Sequence, residues 1–244
     1  ARELKSKSKI SLGELISGKF NVAIGAESGK ATSSGTNNVA IGSWDNSGGS
    51  VIKGALGSNT TGSYNIAIGT GALSANTGGL YMTAIGYKAL SAAGDNSDDL
   101  DGSVAIGYDA LRSKAGSGGD QYTKASTAVG FQAGTTENGT GLGTYVGFKA
   151  GTAVTTGEAN VSIGHEALKT DTVGGHSTAI GHCALHEYTK AGTGSGVAGN
   201  TAIGSNAMRY IDNAAAIQNT AVGMGALQGA NADGNDGNSN VAVC

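Results

Sequence analysis

The sequence Asn21-Val22-Ala23-Ile24-Gly25 returns 17 residues later as Asn38-Val39-Ala40-Ile41-Gly42. Related five-residue words recur to the end of the chain, usually with a β-branched residue second, Ala third, Ile or Val fourth and Gly fifth. The glycines that close the words are Gly25, Gly42, Gly69, Gly86, Gly107, Gly130, Gly147, Gly164, Gly181, Gly204 and Gly223. Their successive spacings are 17, 27, 17, 21, 23, 17, 17, 17, 23 and 19 residues, so 17 is the basic unit and the longer spacings contain insertions.

A second word, Ala-Leu, follows most of these glycines after two variable residues, as in Ala72-Leu73 and Ala89-Leu90. It relaxes to Ser28-Gly29, Ala133-Gly134 and Ala150-Gly151 in three repeats. A two-part word that recurs at a fixed minimum spacing indicates a repeat architecture, in which each unit packs on its neighbours.

Composition excludes several classes of protein. Glycine supplies 44 of the 244 residues and proline none, while Leu, Ile, Val and Phe together supply only 43. An ordinary globular enzyme has more large apolar residues, a disordered chain has more net charge than −3, and collagen needs proline. No apolar run of about 18 residues is present, so we expect no membrane insertion. The slight acidic excess does not favour nucleic acid as a partner.

The words predict an all-β fold, a parallel β-solenoid of about twelve coils with inserted loops. Val, Ile and Thr favour extended backbone, and the closing glycine permits a turn. Twelve coils at a strand spacing of about 4.8 Å make a rod roughly 55 Å long. Residues 1–20 are predicted to connect to a preceding segment, with Ile10-Ser11-Leu12-Gly13 as a candidate degraded coil, and residues 21–244 to form the solenoid domain.

The interior of each coil is predicted to contain one Ile or Val, one Leu and alanines. Asn or Ser at the first position of the word is predicted to stack as a ladder that satisfies backbone groups. The recurring Ala suits close approach between chains, which predicts a homotrimer. The alternative is a monomeric solenoid in which Ala fills a tight interior, since repeat arrays also stand alone.

The word Asn-x-Ala-Ile-Gly-x-x-Ala resembles the head repeats of trimeric autotransporter adhesins of the YadA-like type, and it is similar to repeats of bacteriophage tail fibres. The resemblance covers residues 21–243 and implies a left-handed parallel β-roll, assembled as a trimer, that attaches to a surface. The 17-residue unit with insertions looks more like a phage fibre than an adhesin head.

The resemblance therefore implies a structural segment of a bacteriophage tail fibre or other virion appendage, located on the virion surface, whose partner is a host cell-surface glycan or protein. The alternative is the head of a bacterial trimeric autotransporter adhesin on the bacterial cell surface. A polysaccharide depolymerase is a less favoured function, because it would need two suitably spaced carboxylates. An ice-binding solenoid would need a flat, regular array of threonines, whereas threonine alternates with valine at the second position of the word.

Aromatic residues in the insertions are candidate receptor contacts. The long insertions are 43–64, 87–103, 108–126, 182–199 and 224–239. They contain the candidate receptor-binding residues Trp44, Tyr64, Tyr122 and Tyr188. Exposed rings among polar groups suit sugar recognition, and the competing interpretation is that they pack the loops onto the rod.

Rings also occupy the position after the motif glycine in six consecutive repeats: Tyr87, Tyr108, Phe131, Phe148, His165 and His182. Equivalent positions stack in a solenoid, so these residues predict a ring ladder, which either presents a binding strip or stabilises neighbouring coils. His165 and His182 with their symmetry mates would suit a metal, but without a surrounding ligand-orienting signature no metal site is predicted. Cys183 and Cys244 form neither a disulfide framework nor a metal motif.

No catalytic pattern is present in the sequence. It contains no Gly-x-Ser-x-Gly elbow, and the acidic stretch from Asp95 to Asp101 lacks the glycine and closing glutamate of an EF-hand loop. We therefore expect no enzyme activity and no cofactor.

Overall fold

The computed structural model describes residues 17–46, 51–93, 100–114, 125–137, 141–187, 196–211, 217–229 and 239–244. This part of the chain is all-β and contains no helix. Its strands are β1 (Val22–Ile24), β2 (Val39–Ile41), β3 (Ile66–Ile68), β4 (Thr83–Ile85), β5 (Val104–Ile106), β6 (Thr127–Val129), β7 (Thr144–Val146), β8 (Val161–Ile163), β9 (Gly174–Gly175), β10 (Thr178–Ile180), β11 (Gly196–Val197), β12 (Thr201–Ile203), β13 (Thr220–Val222) and β14 (Val241–Val243).

Twelve of these strands form one parallel sheet, and they lie side by side in the order β1-β2-β3-β4-β5-β6-β7-β8-β10-β12-β13-β14. Equivalent residues of the word are paired throughout, for example Ala23 with Ala40 and Ala67 with Ala84. β9 and β11 form a second, two-stranded parallel sheet on another side of the coil. The predicted all-β parallel β-solenoid is therefore confirmed.

The motif glycine is required because of both its backbone angle and its neighbours. Gly86 has a φ of +134°, and Gly107 has a φ of +141°. A Cβ atom on Gly69 would lie only 2.6 Å from the carbonyl oxygen of Gly86 in the next turn. Only glycine satisfies both conditions, so the column of glycines sets the close stacking of the corners.

The strands contribute smaller side chains to the interior than the sequence predicts. The Ala at the centre of the word is fully buried, as for Ala84 and Ala105, whereas Ile85 and Ile106 on the same strands are only half-buried. The prediction that the Ile or Val of the word fills the interior is therefore wrong. The prediction that Ala lines a seam between chains is also wrong, because these alanines face the interior of their own chain.

Leucine from the second word fills the interior instead. Leu73 and Leu90 are fully buried and belong to a column of eight Leu and Met residues with φ between 47° and 51°. This left-handed conformation is uncommon for residues other than glycine. It is held by hydrogen bonds between turns, such as that from the Leu73 amide to the Ala89 carbonyl at 3.0 Å. The column includes Leu56, which the sequence analysis missed because extra residues separate it from Gly42.

The Asn and Ser residues that begin the words form the predicted ladder. Oδ1 of Asn38 accepts a hydrogen bond from the backbone amide of Asn65 at 3.0 Å, and Oδ1 of Asn160 accepts one from Ser177 at 2.9 Å. Nδ2 of Asn38 also donates to the carbonyl of Gly62 at 2.8 Å. Each amide side chain therefore satisfies backbone groups of its own and the following turn.

A large aromatic residue replaces the small interior residue in β7. Tyr145 is fully buried, and the glycines at 134, 143 and 151 surround its ring. A Cβ atom on Gly134 would lie 2.8 Å from Cδ2 of Tyr145, and one on Gly151 would overlap the ring. The relaxed words Ala133-Gly134 and Ala150-Gly151 therefore lack leucine because the tyrosine occupies that volume.

A second interior column, three residues after the leucine, is polar in most of the described turns, although Ala93 and Val154 also belong to it. Asn59 and Asn76 occupy it in adjacent turns, and Nδ2 of Asn76 donates to Oδ1 of Asn59 at 2.9 Å. Lys114 and Glu137 occupy it further along, with Nζ 3.2 Å from Oε1 and both side chains fully buried. Oγ of Ser126 also donates to Oε1 of Glu137 at 2.9 Å. An ion pair inside the solenoid was not expected from the sequence.

Candidate functional site

The candidate site is the outer face of the twelve-stranded sheet and the corner that follows it. The second and fourth residues of each word are half-buried or exposed, while the third is inside. Strand alternation therefore produces two columns of β-branched side chains on one face, one of Val, Thr or Ile and one of Ile or Val. The most exposed members lie in the terminal strands, as for Val243 at 74%, and exposure persists inside the sheet, as for Ile66 at 40% and Ile163 at 37%.

The six rings after the motif glycines stack as one column. The centroid distances are 5.4 Å for Tyr87–Tyr108 and 5.1 Å for Tyr108–Phe131. They are 5.3 Å for Phe131–Phe148, 5.0 Å for Phe148–His165 and 5.1 Å for His165–His182. The spacing follows the separation of parallel strands, so the backbone stack aligns the rings.

The ring ladder is accessible to solvent. Tyr108, Phe131 and Phe148 expose 44%, 42% and 41% of their surface, and His165 and His182 are also exposed. Lys88 lies with Nζ 5.3 Å from the Tyr87 ring centroid. A continuous strip of ring surface with flanking cations is chemically suited to contact apolar sugar faces and anionic groups.

Two further tyrosines form a separate stacked pair. Tyr64 and Tyr81 stack with centroids 5.1 Å apart and expose 51% and 60% of their surface. Both precede the Asn or Met that begins a word and have φ near +60°, as does the exposed Phe20 in the same column. Tyr64 was a candidate from the sequence, whereas Tyr81 was missed. The shared position before the word was the signal that could have found it.

The other sequence candidates are placed differently. Trp44 is half-buried at the start of the first insertion, where its amide donates to the Ala26 carbonyl at 3.0 Å. Asp45 and Ile52 then pair in an isolated antiparallel bridge within that insertion. Tyr122 and Tyr188 lie outside the described residues.

The first insertion creates a groove against the regular turns. The groove has a volume of about 370 Å³ and includes Ile52, Lys53 and Lys88 in its lining. Lys88 also faces Tyr87, so the groove adjoins the start of the ring ladder.

Ionisable groups collect where the ring ladder ends. A hydrogen bond from Lys169, reinforced by His186, lowers the pKa of Glu166 to about 2 against its burial. Burial raises the pKa of the Cys183 thiol. His165, His182 and Cys183 bring nitrogen and sulfur atoms together, which are the ligand types of soft and borderline metals.

Comparisons with protein-family models, with curated proteins and with solved structures found no match to this chain. Among the residues that the structure describes, no helix reaches the length and apolar character that crossing a membrane requires. Function is therefore inferred from the solenoid and its outer surface.

Proposed function

We propose that this chain is a structural segment of a bacteriophage tail fibre or other virion appendage, and that it contributes to attachment to the host surface. The observation that carries the proposal is the outer sheet face, where two columns of β-branched side chains stay partly exposed along all twelve strands. Such a face suits lengthwise packing against identical rods.

The proposal includes a homotrimer of rods with about twelve coils each. Parallel sheets are usually covered on both faces, and here the interior covers only one. Ile106 is half-buried and Ile163 is 37% exposed in the single chain, so packing three such faces around an axis removes further apolar surface from water. The gain is about 25 cal/mol per Å² and repeats with every turn.

Stiffness supports a role as a fibre. Backbone hydrogen bonds join successive turns at several corners, as from Gly86 to Ile68 at 2.7 Å and from Leu90 to Ala110 at 3.0 Å. The resemblance of the repeated word to phage fibre repeats points the same way. Three parallel copies would present three ring ladders to a host cell, which adds avidity to weak contacts.

Light scattering on the full chain tests the assembly. We expect the mass of three chains for the unmodified protein and of one chain for Ile106→Lys, because the lysine places a charge on the packed face. Thr61→Lys is the matched control, because Thr61 is exposed and lies outside the strands of the twelve-stranded sheet. Its backbone amide donates a hydrogen bond to the carbonyl of Thr77. A monomeric unmodified protein overturns the trimer.

Binding to purified bacterial surface polysaccharides tests the attachment role. Tyr64→Asn with Tyr81→Asn removes the stacked pair while keeping residues that tolerate positive φ. We expect binding to a recognised polysaccharide to weaken about tenfold. Phe20→Asn is the control in the same column, outside the pair. Absence of saturable binding to intact bacteria and to their polysaccharides would contradict attachment.

A further inference from the structure

The ring ladder ends in two histidines, and a cysteine lies beneath them. His165 and His182 are exposed, while Cys183 is 3% exposed. One potential ligand atom from each of the three lies within 4.8 Å of the other two. Nε2 of His182 is 3.7 Å from Sγ of Cys183.

These distances suit a tetrahedral ion. Zn²⁺ binds sulfur at about 2.3 Å and nitrogen at about 2.0–2.1 Å, which separates two such ligands by roughly 3.5 Å. The sulfur and the His182 nitrogen already lie close to that separation. A metal lies in the plane of each imidazole it binds, so the two stacked rings must tilt toward each other. The His165–His182 pair already has the largest tilt of the ladder, 20°, against 9–13° for the other pairs.

We propose that His165, His182 and Cys183 form a Zn²⁺ site, with water as the fourth ligand. Imidazole and thiolate ligands favour this ion over Mg²⁺ and Ca²⁺, which prefer oxygen. On binding, the Cys183 thiol releases its proton to solvent and its sulfur bonds the ion. Each histidine binds through the lone pair of a neutral ring nitrogen, and nothing is oxidised or reduced.

A neighbouring set of groups competes less well for the ion. Glu166 and His186 also place ligand atoms within reach of Cys183. However, Oε1 of Glu166 is 2.8 Å from Nζ of Lys169, and its Oε2 is 2.9 Å from Nε2 of His186. The Glu166 carboxylate therefore already has two partners. The His165 ring, in contrast, makes no hydrogen bond to any of the described residues.

The site joins two successive turns of one chain. His165 follows β8, and His182 and Cys183 follow β10, where the Cys183 amide donates to the His165 carbonyl at 2.9 Å. A bound ion would therefore fasten the side chains of two turns whose backbones are already joined. All ligands belong to one chain, so the site does not depend on the trimer or on attachment.

The test is a Co²⁺ titration of the full chain carrying Cys244→Ser and no histidine tag, followed by displacement with Zn²⁺. We expect one Co²⁺ per chain, with intense visible bands of a tetrahedral site and a thiolate-to-cobalt band in the near ultraviolet. Zn²⁺ should remove these bands and raise the thermal unfolding midpoint. Cys183→Ser, His165→Gln and His182→Gln should each weaken affinity by more than about 100-fold.

Two controls keep the test decisive. His176→Gln removes an exposed histidine outside the cluster and should leave binding unchanged, and so should Glu166→Gln. Circular dichroism of each variant without metal checks that the solenoid is retained. Absence of a thiolate-to-cobalt band overturns the proposal, as does a band that survives His165→Gln and His182→Gln but is lost in Glu166→Gln.

Discussion

The turns between Ile52 and Ala93 and the turns around Tyr145 use the same backbone with different interiors. In the first region, Ala67 and Ala84 are buried in one cluster with Leu73 and Leu90, the leucines of the second word. In the other, Tyr145 faces glycines where those leucines would stand. The motif glycines keep positive φ in both regions, so the corner is constant while the filling changes.

The polar column differs between the same two regions. Asn59 and Asn76 share a side-chain hydrogen bond in the first, and Lys114 and Glu137 form a buried ion pair in the second. In both regions, neighbouring turns of the solenoid compensate for each other in interior volume and in hydrogen bonding. The packing and the hydrogen bonding of the core are therefore satisfied over several adjacent repeats and not within a single repeat.

The largest expected effect comes from emptying the altered interior. Tyr145→Ala should reduce the free energy of unfolding by about 4–5 kcal/mol, in the upper part of the range for aromatic truncation. The surrounding glycines have no side chains with which to fill the cavity. Urea unfolding at one fixed protein concentration measures the change.

A rescue variant decides whether volume is the cause. Adding Gly134→Leu and Gly151→Leu to Tyr145→Ala rebuilds the interior of the regular region, and both positions already have φ near the leucine column, 57° and 60°. We expect this triple variant to recover most of the lost stability. A triple variant less stable than Tyr145→Ala would show that the two interiors are not interchangeable.

The repeat spacing and alternation were sufficient to predict the parallel solenoid, the stacked rings and the Asn and Ser ladder. They were not sufficient to predict which residues face inward, because large apolar residues were assumed to be the interior ones. The third position of the word, which is Ala in ten of the twelve strands, was the better guide, since a crowded interior favours small side chains. The positive φ of Leu73 could not be predicted, because leucine as a residue type does not favour this conformation.

Departures from the word were also informative where they coincided. Tyr145, Gly134 and Gly151 all depart from the word in adjacent repeats, and this coincidence was a signal of compensation that was not used. Lys114 and Glu137 gave no comparable signal, because Lys114 lies in a 23-residue repeat whose insertion obscures which turn position it holds. Their pairing depends on long-range register, which only the stacked structure provides.

The next effect tests the ion pair of the altered region. Lys114→Met should destabilise the chain by about 3–4 kcal/mol, because it leaves the buried Glu137 carboxylate without its cation. Ser126 still donates to Glu137, which limits the loss. The double variant Lys114→Met with Glu137→Leu should regain most of it in the same urea unfolding experiment. Equal losses in the single and double variants would mean that the pair acts through packing alone.

The smallest effect separates the polarity of Tyr145 from its volume. Its buried hydroxyl has no hydrogen-bond partner among the described residues, so Tyr145→Phe should stabilise the fold by about 1 kcal/mol at neutral pH. Burial, and then the charges of Glu137 and Asp171, raise the pKa of Tyr145 well above 10.0.

The same substitution has an alkaline signature. Because the folded state binds the phenol proton more tightly than the unfolded state does, the stabilising contribution is complete below pH 10 and is lost as the pH rises further. Unfolding midpoints measured from pH 8 to 11 should therefore fall less steeply for Tyr145→Phe than for the unmodified chain. Parallel curves would contradict the raised pKa, and a less stable Phe variant at neutral pH would show that the hydroxyl is hydrogen-bonded.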